Sequence, residues 1–331
     1  MTAHRVFRLG FILFAFLLAL GVPPEPAHAY VRSRAEESCL PVYWKQTCVF
    51  IQPDANLNAG MPASDAERII QKSISNWMSR TTGSFMKLNY VAPDGPKEVT
   101  YKDHLSVIVF RTGNKFCRPA VDGAEQVCYD PSAAAVTTVS YINKKGDPND
   151  GWIVDADIEM NSVNNQFVEI GKPLPLPDSR NQTDLENTLT HELGHLLGLD
   201  HTCRLSADPA CLTDNNGQAR LTCESIDRQR LLNPTFQTIY ETAMFAVAPP
   251  KDIEKRTPKA DDIAGIAAVS PLADDPKVCQ KPGTEASSGC SCEVGHQKTG
   301  AKGAAFAILL FFFSCATRLR RKKSTQQSPN V

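Results

Sequence analysis

Eleven residues, His191 to His201, read HELGHLLGLDH and bring three imidazoles and a carboxylate within reach of one another. Histidines four apart on a helix share a face, so His191 and His195 can reach one ion, while Glu192 is turned about a hundred degrees around the axis. Gly198 stands where such a helix has to end. Glycine accepts the left-handed conformation that reverses a chain, and the reversal returns His201 as a third ligand. Three neutral imidazoles leave zinc an open position, at which the pKa of water falls from about 16 to roughly 7. Glu192 then has the place of a general base that takes a proton from water and returns it to the leaving amine of a peptide. Five specified residues at fixed offsets make a far more demanding pattern than the ordinary surface or core histidine pair that is its alternative.

Elements must hold these groups in place. Thr183 and Glu186 form T-x-x-E, a capping box that predicts the start of a helix running through His195. In WIVDADIEMNS the residues Val154, Ala156, Ile158 and Met160 share one face and Asp155, Asp157 and Glu159 the other, which is the period of a half-buried strand whose apolar side packs on that helix. The acidic side is expected to be solvated, with calcium bridging it as the alternative. PVYWKQTCVFIQ, SFMKLNYV, HLSVIVFR and AAAVTTVSYIN read as further strands. Asp65 to Arg80 reads as an amphipathic helix with Ile69, Ile70, Ile74 and Trp77 on one stripe. Together they predict a mixed sheet in an α/β (α+β) fold.

HELGHLLGLDH matches H-E-x-x-H-x-x-G-x-x-H throughout and resembles the metzincin metallopeptidases, most closely the matrixin branch. TAMFAVAPP places Met244 where that family has its methionine turn, and KADDIAGIAAVSP has the look of its closing helix. Ala246 stands where other metzincin branches carry a tyrosine, a departure that favours the matrixins. The resemblance implies a zinc-dependent endopeptidase with a twisted, mixed five-stranded sheet, an active-site helix and a C-terminal subdomain. It implies His191, His195 and His201 as ligands of one catalytic zinc, Glu192 as the base, Met244 as the support beneath, and Ala135 to Tyr141 as the edge strand alongside which a protein or peptide substrate lies. A second, structural zinc is not expected, since only His104 is left over among the histidines of the body.

The ends of the chain speak to its address. Arg5 and Arg8, the apolar run Phe11 to Leu20 and the sequence Ala27, His28, Ala29 read as a secretory signal over residues 1–29. Residues 30–271 are assigned to the peptidase domain, 272–289 to a linker and 290–331 to a tail. In that tail Cys290 and Cys292 precede an apolar run from Gly303 to Ala316 and a basic cluster from Arg318 to Lys323. This order resembles the C-terminal sorting tails of myxobacterial surface proteins, with processing near the cysteines after transient membrane retention; a simple tail anchor and a buried helix are the alternatives. The protein is therefore expected to be exported, secreted or held at the cell surface or outer membrane, and monomeric.

Composition agrees with that reading. Between signal and tail lie 26 basic and 34 acidic residues, a net charge of −8 that excludes nucleic acid as a natural partner. Eight of the eleven cysteines fall in this body, an even number that suggests disulfides in an oxidising compartment. Sequence proximity favours Cys39 with Cys48 and Cys117 with Cys128, leaving Cys203, Cys211 and Cys223 to staple the segment after His201. The rival function is a surface binding or adhesion protein that keeps zinc for stability without cleaving. Four protein ligands are usual in such a structural site, and an intact Glu192 weighs against it.

Overall fold

Strand formers separated by one amphipathic helix set the order of the first half of the chain. It runs through β1 (Val31–Arg32), β2 (Tyr43–Trp44), β3 (Cys48–Pro53), α1 (Ala63–Met78), β4 (Lys87–Tyr90), β5 (Leu105–Arg111), β6 (Cys117–Arg118), β7 (Val127–Cys128), β8 (Ala133–Tyr141) and β9 (Trp152–Asn161). The second half has β10 (Asn165–Val168), β11 (Asn181–Asp184), α2 (Leu185–Leu196), β12 (Leu199–Asp200), α3 (Cys223–Gln229), α4 (Pro234–Tyr240), α5 (Ala260–Val269) and a last strand, β13 (Ser324–Pro329). This computed structural model describes residues 29–280 except 102, 121–124, 174, 179, 206–210, 212 and 216, together with the backbone of 324–329. The signal segment up to residue 28, Cys290, Cys292 and the apolar run of the tail lie outside the described residues. Among the described residues no helix is long and apolar enough to cross a membrane.

In the main sheet β4, β3, β5 and β9 run parallel in that order, and β8 joins β9 antiparallel. These are the five expected strands. Two additions enlarge the sheet: β2 pairs with the start of β9, and β13 lies antiparallel on β8. Central parallel strands are covered on both faces and so read as continuous apolar runs, which is why β5 (LSVIVFR) is buried from Ser106 onward.

Helix α1 turns Ala66, Ile69, Ile70, Ile74 and Trp77 inward, and they share one core with Leu185, Leu189 and Leu193 of α2 and Ala156, Ile158 and Met160 of β9. The indole N–H of Trp77 donates to the backbone oxygen of Thr190 at 2.9 Å, which ties the two helices where apolar packing alone leaves sliding possible.

The other side of β9 is not solvated as the acidic pattern suggests. Asp155, Asp157 and Glu159 are all buried, with Arg118 of β6 and Tyr129, just after β7, reaching over Glu159. Glu159 accepts from Nε of Arg111 at 2.6 Å, from Nε of Arg118 at 2.7 Å and from the Tyr129 hydroxyl at 2.6 Å. Burial and the Glu159 carboxylate push the Tyr129 hydroxyl upward. Glu98 also pairs with Arg111, so two carboxylates meet two guanidinium groups in this layer.

Four disulfides staple the body. Cys117 bonds Cys128 across the β6–β7 pair, and Cys203 bonds Cys223 at the start of α3. Cys39 and Cys48 do not bond each other: the chain between them is extended, with Tyr43–Trp44 pairing on β9, and this carries Cys48 away into β3. Cys39 bonds Cys211, and Cys48 bonds Cys279. The last pair fastens the stretch after α5, whose Val278 carbonyl also accepts from the Thr47 N–H and whose Asp275 accepts from the Thr47 hydroxyl. The first part of the segment expected to be a linker is thus strapped onto β3.

Candidate active site

Helix α2 starts one residue later than the T-x-x-E pattern predicts. Parallel pairing of β11 with β10 keeps the chain extended through Asp184, and it is the Asp184 carboxylate that accepts from the Asn187 N–H at 2.8 Å. Thr183 donates instead to the Asn165 side chain. Glu186 turns to Lys72 and Asn76 of α1, and Arg256 pairs with Asp184, so the first turn of the helix is pinned from two directions.

The helix ends at Leu196, and Gly198 follows with φ +99°, a left-handed conformation that side chains strain to adopt. The chain reverses there into β12, which is held against β1, and His201 comes back over the helix. Arg220, buried, donates to the Asp200 carboxylate at 3.0 Å and to the His201 carbonyl at 3.2 Å, fixing the backbone of that return.

His191, His195 and His201 are brought together with their Nε2 atoms 3.1–3.2 Å apart in all three pairings. Ligand atoms about 2.0–2.1 Å from a tetrahedral zinc are separated by about 3.3 Å, so the cluster fits that ion. Nδ1 of His191 donates to the Ala243 carbonyl at 2.6 Å and Nδ1 of His195 to the Leu199 carbonyl at 2.9 Å. These bonds set the tautomer and aim the Nε2 lone pairs at the common centre. Burial, and then the neighbouring His195, hold the His191 and His201 imidazoles well below their usual range; both are neutral, the ligating form.

Glu192 is fully buried, with Oε2 2.6 Å from the Thr137 hydroxyl of β8. Met244 is buried beneath the helix: a Cβ added to Gly194 would come within 2.2 Å of its sulfur. Asp262 of α5 holds the methionine turn from below. Its two oxygens accept from the N–H groups of Ala243, Met244 and Lys259, and burial raises its pKa to about 6. Since Ala243 also holds His191, the α5 carboxylate is connected through one turn to a histidine of the cluster.

His104 immediately precedes β5 and is not among the clustered residues. The structure brings the three histidines, Glu192 and Met244 together, and beside them it places Thr137, Arg220 and Asp262, which are not among the residues singled out in the sequence. The last belongs to the KADDIAGIAAVSP segment, so its neighbourhood carries a signal in sequence; the other two are ordinary polar residues that only the fold brings in.

No curated protein matches the chain in a search over its sequence. A family model described as Matrixin matches residues 44–208, a stretch that takes in His191, Glu192, His195 and His201 and stops short of Met244. The chain carries a matrixin-like domain and is a zinc metalloendopeptidase.

Proposed function

We propose that this protein is an exported endopeptidase in which His191, His195 and His201 hold one catalytic zinc through Nε2 and Glu192 is the general base. The observation that carries the reading is the convergence of three imidazoles within 3.1–3.2 Å, two with their Nδ1 atoms held by backbone carbonyls, beside a buried carboxylate. Zinc in that place supplies a Lewis acid that activates water and polarises the scissile carbonyl. The protein does the rest. Ala135 to Tyr141, expected at the sheet edge, are paired by β13 on the side away from β9, so in this reading β13 leaves that side and the backbone groups of β8 pair there with an extended peptide and present its amide bond to the site. Glu192 takes a proton from the attacking water and passes it to the amide nitrogen as the C–N bond breaks, with no covalent link to the enzyme. Met244 and the turn around it give the three ligands a packed floor.

Four disulfides favour an oxidising compartment and hence the exported reading, with residues 1–29 as signal and the tail from residue 290, with Cys290 and Cys292, as the sorting segment. The peptidase domain in this reading extends from residue 30 past 271 to the Cys279 staple, and it works as a monomer. Glu159 is already neutralised by two arginines, so calcium is not assigned a role there.

The test is cleavage of a mixed peptide library by the purified protein, with and without a zinc chelator, beside Glu192→Ala. Cleavage that disappears on chelation and in the variant supports the reading and reports side-chain preference. Zinc bound at one per chain without cleavage would instead favour the binding-protein alternative.

One observation favours a second reading in which the chain is its own substrate. β13 lies antiparallel on β8, with Gln326 opposite Thr137. In this reading the tail enters the peptide path. Mixing active enzyme with full-length Glu192→Ala decides it: cleavage of the inactive chain in its tail supports self-processing, and an intact inactive chain rejects it.

A further inference from the structure

Thr137 stands mid-strand in β8, fully buried, opposite Ile158 of β9. Strand alternation sends the next residue, Thr138, to the far face, where its hydroxyl accepts from Arg118 at 2.7 Å. The Thr137 hydroxyl lies 2.6 Å from Oε2 of Glu192 and 3.2 Å from the backbone carbonyl of the same residue. Both partners are acceptors and a hydroxyl has one proton to give; the shorter contact, to the carboxylate, is the one that takes it.

The geometry points to Thr137 as the positioning residue that decides which oxygen of Glu192 carries the proton during peptide hydrolysis. Oε2 is held against β8 by the hydroxyl, and Oε1 is the oxygen that takes the proton from water and returns it to the leaving nitrogen. A glutamate has three rotatable side-chain bonds, and its carboxylate presents two equivalent oxygens. Without the hydroxyl, part of the population places its proton on the oxygen that faces the strand, from which it cannot be delivered. The peptide path and the general base are thereby set by one strand, since the backbone of β8 orients the substrate and its Thr137 side chain orients Glu192. The inference rests on Glu192 being the general base.

The experiment compares Thr137→Val, which keeps the shape and removes the hydroxyl, with Thr137→Ser, which keeps the hydroxyl, and with Glu192→Ala, all in the full chain. Expected for Thr137→Val is a fall in kcat of about 10- to 100-fold, the scale of a misoriented reacting group. KM should stay within about twofold, and zinc content at one per chain. Thr137→Ser should recover most of the lost kcat. In the Glu192→Ala background Thr137→Val should have no further effect on the residual rate, and in zinc-free protein the two substitutions should be non-additive in Tm. Wild-type kcat in Thr137→Val, or a serine variant as impaired as the valine one, overturns the inference while leaving Glu192 in place. Full activity in Glu192→Ala overturns the underlying reading instead. Should the valine variant fail to fold, Thr137→Ala against Thr137→Ser carries the same comparison: loss of kcat in the alanine variant alone supports it, and equal behaviour of the two rejects it.

Discussion

On the α2 side of β9 three imidazoles meet with their Nε2 atoms 3.1–3.2 Å apart, and on its other side Glu159 meets Arg111, Arg118 and Tyr129. Both groups are buried. Only the second is electrically complete, because Glu98 and Glu159 supply two negative charges for two guanidinium groups. The three Nε2 atoms converge on one centre, and in His191 and His195 the other ring nitrogen is spent on a backbone carbonyl, which is the donor set that suits a metal cation. A buried ionic set with its own counter-charges is scaffold, whereas convergent neutral lone pairs with orienting bonds behind them form a site. The same strand separates the two, with Ile158 and Met160 in the core on one side and Glu159 on the other.

The comparison breaks most readily at its ends. Glu192→Gln should lower kcat/KM by about 10²- to 10⁴-fold, the range of general acid–base catalysis, with zinc content and Tm little changed. Peptide cleavage with elemental analysis on the same preparation measures both, and activity within tenfold of wild type would remove Glu192 from the mechanism. Glu159→Ala should do the reverse. It leaves Arg111 and Arg118 buried with one carboxylate between them, a loss of about 3–5 kcal/mol in stability. Thermal unfolding should show a large fall in Tm, while kcat measured below the transition stays near wild type. If Glu159→Ala abolished cleavage at full stability, the scaffold side would belong to the site.

Much of this division was legible in the chain before its structure. HELGHLLGLDH fixes its own geometry, since the helical period, a glycine reversal and three histidines depend only on local structure, and the stripe on α1 appears within two residues of its predicted span. The acidic side of β9 was misjudged for a physical reason. A run of alternating carboxylates looks solvated when its counter-charges, Arg111 and Arg118, lie 48 and 41 residues before Glu159 on β5 and β6. Cys39 with Cys48 failed for the same reason, as sequence proximity says nothing once a strand carries one partner off. Thr137 and Arg220 carry no motif at all.

Gly194 tests how tightly the methionine turn supports the ligands. Alanine would improve helix propensity by about 1 kcal/mol. Its Cβ would also meet the Met244 sulfur at 2.2 Å and Trp77 at 3.1 Å in a filled core, and overpacking of this kind costs about 1–3 kcal/mol. The clash should win, so Gly194→Ala should lower Tm by several degrees and weaken zinc retention, because the displaced turn carries the carbonyl that holds His191. Unchanged Tm and zinc affinity would mean that Met244 yields and supports nothing.

The smallest effect probes the carboxylates that Glu159 leaves behind. Burial first, and then the neighbouring Asp155, raise the Asp157 carboxyl well above its usual value of 3.8, while the Val107 N–H donates to it at 3.0 Å. A carboxyl raised on folding contributes stability that is fully present below the unfolded pKa and is lost as pH rises through the folded one. Asp157→Asn keeps an acceptor for Val107 and removes that loss. Its Tm should therefore match wild type near pH 3 and exceed it near pH 7, by about 2–4 °C for each kcal/mol recovered. Calcium reverses the expectation. If millimolar calcium raises the Tm of wild type at pH 7 and leaves Asp157→Asn unmoved, this layer binds a cation, and the contrast between a self-neutralised scaffold and a metal-ligating cluster has to be redrawn with a metal on both sides of β9.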